Sequence, residues 1–175
     1  MNLQKIKSIA IVCTFLICFV SHFIYTIFPN FLTSIFFPVN ESIWEHIKMM
    51  VSSIFIWQIV EYFLLNKYNI KFNNFSYSAF IMCLISIPIF LIIYFPVYLC
   101  AGNNFILNIM CLFITIYFVN VIGYFILNKS QIKLDKVGII GMLILFIVFV
   151  FFTYFPPKCK IFEDPVSNSY GILIK

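Results

Sequence analysis

Five apolar stretches of roughly 20 residues, the length an α-helix needs to cross a bilayer, follow one another along this chain. They lie at about Ile6–Phe28, Ile43–Leu65, Tyr77–Leu99, Asn104–Leu127 and Val137–Phe155. Inside hydrocarbon the backbone has no water to bond, so segments of this kind must satisfy their own polar groups as helices. Composition agrees. Of 175 residues, 63% are hydrophobic and 10% charged, whereas a soluble domain carries about 25% charge. The fold class read from the sequence is all-α: an integral membrane bundle of five transmembrane helices in one domain, residues 1–175, with a tail over 156–175.

The first stretch follows Lys5 and Lys7, as a signal peptide would. It continues too far for a signal h-region, and no small-x-small cleavage site follows. Ile17 is bulky where a lipoprotein signal needs a small residue before Cys18. The segment is expected to be retained as an anchor. Arginine is absent and Phe, Ile, Lys and Asn are abundant, which reads as codon bias of an AT-rich genome. The net charge of +5 sits in lysines between apolar segments and forms no basic cluster of the kind that binds nucleic acid.

Those lysines orient the bundle. Lys5 and Lys7 precede the first span, Lys67 and Lys71 follow the second, and Lys129, Lys133 and Lys136 follow the fourth. The connectors Pro29–Ser42 and Cys100–Asn103 hold none. Lysine-rich and lysine-free connectors alternate as the positive-inside rule requires. The expectation is a multi-pass protein of the cell membrane with its N-terminus inside and its C-terminus outside, although Lys158, Lys160 and Lys175 then lie outside.

The connector "PNFLTSIFFPVN" is apolar, too short to span, and bracketed by Pro29 and Pro38. It is expected to lie in the outer interface or to re-enter, delivering Asn40 and Glu41 to the second helix. Asn40 is read as that helix's N-cap, with Glu41 and Glu45 in its first turns. On a helix, Glu41, Glu45, Lys48 and Ser52 share one face, with His46 about 100° round from Glu45. The first span offers Thr14, Cys18, Ser21 and Tyr25 at helical spacing, with His22 beside them. Ionisable groups in a membrane segment turn inward, and the connector is short, so His22, Tyr25, Glu41, Glu45 and His46 are expected to converge near the outer surface.

Three readings of this cluster stay open. In the structural one, Glu45 pairs with Lys48, Trp44 anchors at the interface and the histidines make wet hydrogen bonds. In the catalytic one, Glu41, Glu45 or His46 is a general base, since a His–Glu pair can share a proton near neutral pH. His22, Lys48, Asp164 and Tyr170 are the further contributors. In the third, His22, His46 and a glutamate, Glu45 first, ligate a metal; no tight metal spacing such as HExxH supports it, and no cofactor is indicated.

Elsewhere, Gln58, Asn108, Thr115 and Asn120 are expected to bond between helices, Glu61 to pair with Lys67 or snorkel to water, and Gly138 and Gly141 to allow close helix approach. Cys13, Cys18, Cys83 and Cys111 read as small apolar residues; Cys100 and Cys159 both map to the outer side, where a disulfide would need close backbones. In the tail, Pro156-Pro157 stop the fifth span, and Glu163-Asp164-Pro165 and Ser167-Asn168-Ser169 read as turns. Phe162, Val166, Tyr170, Ile172 and Leu173 favour a tail folded back over the outer face; a solvated tail is the alternative.

The blocks "PVNESIWEHIK" (Pro38–Lys48) and "PP…F-x-DP…YGI" (Pro156–Ile172) resemble an uncharacterised family of small integral membrane proteins of low-GC Gram-positive bacteria. The resemblance implies location and architecture and no reaction. It marks Asn40, Glu41, Trp44, Glu45, His46, Lys48, Pro157, Asp164, Pro165, Tyr170 and Gly171. No nucleotide loop, redox motif, serine triad or phosphatase signature appears. Two classes of function remain: a membrane-embedded enzyme acting on a lipid or lipid-linked substrate, and a non-catalytic binding, scaffold or transporter-accessory protein. The bilayer is the one partner the sequence demands. A lipid-like molecule is the ligand such a site would meet, nucleic acid is excluded, and no protein partner is named.

Overall fold

The computed structural model describes residues 1–172; Leu173 and Lys175, read above with the tail, lie outside the described residues. Six α-helices follow in order: α1 (Leu3–Ile27), α2 (Phe31–Phe36), α3 (Ile43–Lys67), α4 (Phe75–Ala101), α5 (Phe105–Asn128) and α6 (Asp135–Tyr154). All but α2 are long and apolar enough to cross a membrane. The fold is thus an all-α, multi-pass membrane bundle with one short helix before its second span. After α6 comes a two-stranded hairpin, β1 (Glu163–Asp164) with β2 (Ser169–Tyr170), antiparallel.

α3 is the central helix. Most of its circumference is buried, from Glu45 through Trp57 to Leu65, and it packs against α1 and α4, while α4 also packs on α5 and α6 and α1 on α5. The other four spans turn large residues such as Leu16, Ile92, Phe125 and Ile147 outward, as expected of surfaces solvated by lipid. Polar residues are therefore concentrated where α3 meets its neighbours. Thr14, Cys18 and Ser21 form the buried stripe of α1, with Ser53 Oγ 3.4 Å from Ser21 Oγ.

The lysine-rich connectors gather at one end. Leu3 and Ile6 cluster there with Leu65, Leu127, Ile70 and Phe72. Asn74, at φ 55°, a left-handed conformation that Asn tolerates better than most residues, joins the two loops: its Oδ1 accepts from Ile132 N at 2.7 Å and its Nδ2 donates to Ser130 O at 3.1 Å. Asp135 Oδ1 accepts from Ser76 N at 3.0 Å, capping α4 from the start of α6. The helices cross closely here: a Cβ on Gly138 would sit 2.4 Å from Ser76 O, and one on Gly141 2.5 Å from the Phe80 ring.

Several expectations are corrected. Glu61 does not pair with Lys67 or reach water; it is fully buried and bound to Lys7 at 2.7 Å. Lys7 reaches it because α1 and α3 lie side by side, and a salt bridge hidden from lipid costs less than a bare charge. Thr115 and Asn120 bond back to the carbonyls of Cys111 and Ile116 on their own helix, and among the described residues the Asn108 amide reaches only Asn103. Short polar side chains often choose the carbonyl four residues back. Gln58 does bond between helices as expected: its Nε2 donates to Met82 Sδ of α4 at 3.5 Å, and also to Glu61 Oε2 within α3 at 3.2 Å. The pairing of Cys100 and Cys159, left open by the sequence, is absent: both are free and exposed.

Candidate functional site

At the end opposite the lysine-rich loops, the connector after α1 bends at Pro29, forms α2, and returns through Pro38 to α3. Asn30 closes the start of α2 with a reciprocal capping box to Thr33. The N-cap of α3 is Ser42, not Asn40: Ser42 Oγ accepts from Glu45 N at 3.3 Å. Asn40 braces the turn instead, accepting from Ser42 N at 2.9 Å and donating to Gly171 O of the tail at 2.9 Å. This two-residue shift leaves Glu41 outside the helix, so it does not share a face with Glu45. The acidic stripe divides into two separate sites.

The first is sealed. Lys48 Nζ donates to Ser34 O at 2.8 Å and to Thr153 Oγ1 at 2.9 Å, and pairs with Glu45 Oε2 at 2.6 Å. Glu45 Oε2 also accepts from Val39 N at 3.0 Å, and Oε1 accepts from the Thr153 hydroxyl at 2.8 Å. Side-chain exposure is 0% for Lys48 and 2% for Glu45. All three ammonium hydrogens have acceptors, so the network is complete. It ties α2, the Pro38–Val39 turn, α3 and α6 together, and Tyr154 OH adds a 2.8 Å bond to Ser34 Oγ. Neither charge is open to solvent, and together they tie the connector to the bundle.

The second site is open. Glu41 Oε2 faces His22 Nε2 at 3.4 Å and His46 Nε2 at 3.5 Å, with side-chain exposures of 45%, 30% and 33%. The two imidazoles lie 5.4 Å apart, centre to centre. His46 Nδ1 is 2.9 Å from Ser42 O; a carbonyl only accepts, so Nδ1 carries the proton and neutral His46 presents a lone pair at Nε2. The hydrogen bond from the His22 imidazole holds the Glu41 carboxyl below the usual carboxylate range against the opposing effect of burial. The carboxylate is therefore ionised at neutral pH. Tyr25, half-buried on α1, lies on the same end of the bundle.

The glutamate that joins the two histidines is thus Glu41, where Glu45 had been the first metal candidate; Glu45 turns the other way, into the bundle. Of the tail candidates, Asp164 is spent on its own turn, accepting from Val166 N at 2.9 Å and from Ser167 Oγ at 2.6 Å. Tyr170 OH donates to Glu163 Oε2 at 3.3 Å. The tail nonetheless folds back over this end. Trp44 N donates to Ile161 O at 3.0 Å, and the Trp44 ring packs among Phe149, Phe152 and Phe162 at 4.8–5.3 Å, so Trp44 is a docking point for the tail. Val166 does not join it; it is 77% exposed.

Thr153, Ser34 and the Val39 amide were not singled out from the sequence. Thr153 lies 108 positions from Glu45, and one apolar-helix threonine carries no local signal of such a partner. Ser42 did carry one, because Ser-x-x-Glu before an apolar run is a capping-box pattern.

No curated protein and no solved structure matches the chain. One family profile does, described as Family of unknown function (DUF6512), over residues 1–172. With both the Pro38–Lys48 block and the folded-back tail inside that match, the chain belongs to this family of unknown function.

Proposed function

We propose that the protein is a membrane-embedded enzyme of the cell membrane, with its N-terminus inside and its His22–Glu41–His46 cluster facing outward, acting on a lipid or lipid-linked substrate. The observation that carries this is the convergence of two imidazole nitrogens on one ionised, half-exposed carboxylate at the end of a bundle whose flanks are apolar. A group that must take a proton from water or a hydroxyl needs such a pair within reach of solvent. A substrate anchored in lipid would present its headgroup at that depth. An outward position for this end is supported by its lysine-free connectors, through the positive-inside rule. Glu45, Lys48 and Thr153 serve as positioning residues, holding the turn that carries Glu41.

The test is turnover of the purified full-length chain in nanodiscs supplied with a total membrane-lipid extract, read by mass spectrometry. A species consumed by the wild type and spared by His46→Ala and Glu41→Gln supports the enzyme. No species consumed, or equal consumption by the variants, overturns it. A non-catalytic binding, scaffold or transporter-accessory protein is the second reading. It draws on the cluster's position on an open surface, whereas two surface hollows, one lined by Phe125, Ile126, Asn128 and Lys129 and one by Phe72 to Ser76 with Gln131 and Asp135, lie at the lysine-rich end. It predicts that Glu41→Gln is tolerated and that crosslinking recovers a partner.

A further inference from the structure

We infer that His22 Nε2, His46 Nε2 and a Glu41 carboxylate oxygen form a three-ligand site for a zinc-class divalent cation. The inference deepens the enzyme reading by naming the cofactor, and rests on it only for what the cation would do. Several observations converge. The ligand atoms of the three residues lie within 4.8 Å of one another. Two of the separations, 3.4 and 3.5 Å, are longer than the roughly 2.7–2.9 Å of a charge-assisted hydrogen bond. They match the edge of a tetrahedron around zinc: at bonds of about 2.0–2.1 Å the edge is about 3.3–3.4 Å. The third separation, between the two histidines, is at most 4.8 Å and would have to shorten toward about 3.4 Å on binding.

The chemistry of the donors selects the ion. Two neutral imidazoles and one carboxylate suit zinc and its first-row neighbours, whereas magnesium and calcium take oxygen ligands. The orientation of His46 is already that of a metal ligand, since its Nδ1–H is spent on a backbone carbonyl, Ser42 O at 2.9 Å, and Nε2 is left as the donor lone pair. Finally, the supports are built in. Asn40 fixes Ser42 and reaches Gly171 O, and the buried Glu45–Lys48–Thr153 network holds the turn between α2 and α3. The ligands come from α1, the turn and α3, so the ion would also tie the first two spans together.

Three protein ligands leave a fourth position open to solvent. Such sites are catalytic rather than structural in type. Zinc bound there would make its water acidic enough to serve as a nucleophile near neutral pH, and the half-exposed cluster faces the layer where lipid headgroups would lie.

The test uses the full-length chain purified in detergent. Equilibrium dialysis against zinc with elemental analysis should give one ion per chain. Cobalt(II) should give visible absorption of the tetrahedral type, which zinc abolishes. His22→Ala, Glu41→Gln and His46→Asn should each weaken binding by at least about tenfold; the asparagine amide can still donate to Ser42 O, so that variant removes Nε2 with least damage to the fold. Cys100→Ser with Cys159→Ser should bind as the wild type does. A wild-type chain that takes up no zinc overturns the site, as do ligand variants with unchanged affinity. Stoichiometric zinc without turnover of any lipid would sink the enzyme reading and leave the site standing; turnover by a chain that takes up no zinc would do the reverse.

Discussion

Lys48→Met is the most informative single substitution for stability. It removes the ammonium that donates to Ser34 O and Thr153 Oγ1 and pairs with Glu45, and leaves a carboxylate of 2% exposure with only Val39 N and Thr153 as donors. Removing one partner of a buried ion pair costs about 3–5 kcal/mol, because the charge left behind is uncompensated. A loss of about 4 kcal/mol is close to a thousandfold in the folded-to-unfolded ratio. Glu45→Gln/Lys48→Met removes the orphaned charge as well, and the glutamine oxygen can still accept from Val39 N or Thr153. The double variant should therefore recover at least about 2 kcal/mol relative to Lys48→Met. Unfolding of the purified chain by SDS in mixed micelles reads this directly, followed by the fluorescence of the two tryptophans, of which Trp44 lies one residue from Glu45. A loss under about 1 kcal/mol for Lys48→Met, or a double variant as costly as the sum of the singles, would refute the reasoning.

At the other end, Lys7→Met should cost a similar amount, about 3–5 kcal/mol, because Glu61 is fully buried and among the described residues would keep only Gln58 Nε2; the same titration checks it, with Lys7→Met/Glu61→Gln less damaged than Lys7→Met. Trp44→Ala should cost about 3 kcal/mol, the low end for a tryptophan that is only partly buried, and should release the tail, seen as faster protease cleavage after Lys158 or Lys160. Gly138→Ala should cost about 2 kcal/mol by overpacking, since the new methyl meets backbone at Ser76 and Tyr77 rather than a flexible side chain; Gly102→Ala, which meets nothing within 4 Å, gauges the cost of a positive φ alone.

What was legible in the sequence followed from local physics. The five spans announce themselves by apolar length, and Pro29 and Pro38 mark the break that holds α2. The candidate site was half legible. His22, Glu41 and His46 were all named, yet the stripe drawn through Glu41 and Glu45 assumed a helix starting at Asn40. In "NES", Asn40 and Ser42 are both good caps, and choosing between them depends on whether Asn40 has something else to bind. It has, in Gly171 O, 131 positions away. The same limit hid Thr153 from Glu45 and Lys7 from Glu61. Pairings across the bundle depend on which spans are neighbours, and periodicity within one span does not state that.

Asn40 and Trp44 tie the tail to the end that carries His22, Glu41 and His46, so one label reports the side on which the whole site stands. The measurement is reaction of a variant keeping only Cys159, an exposed thiol, with a membrane-impermeant maleimide in intact cells. Labelling without permeabilisation is the predicted result and places the His–Glu cluster on the outer surface. Labelling only after the membrane is opened would contradict an outward-facing site and reverse the orientation of the bundle.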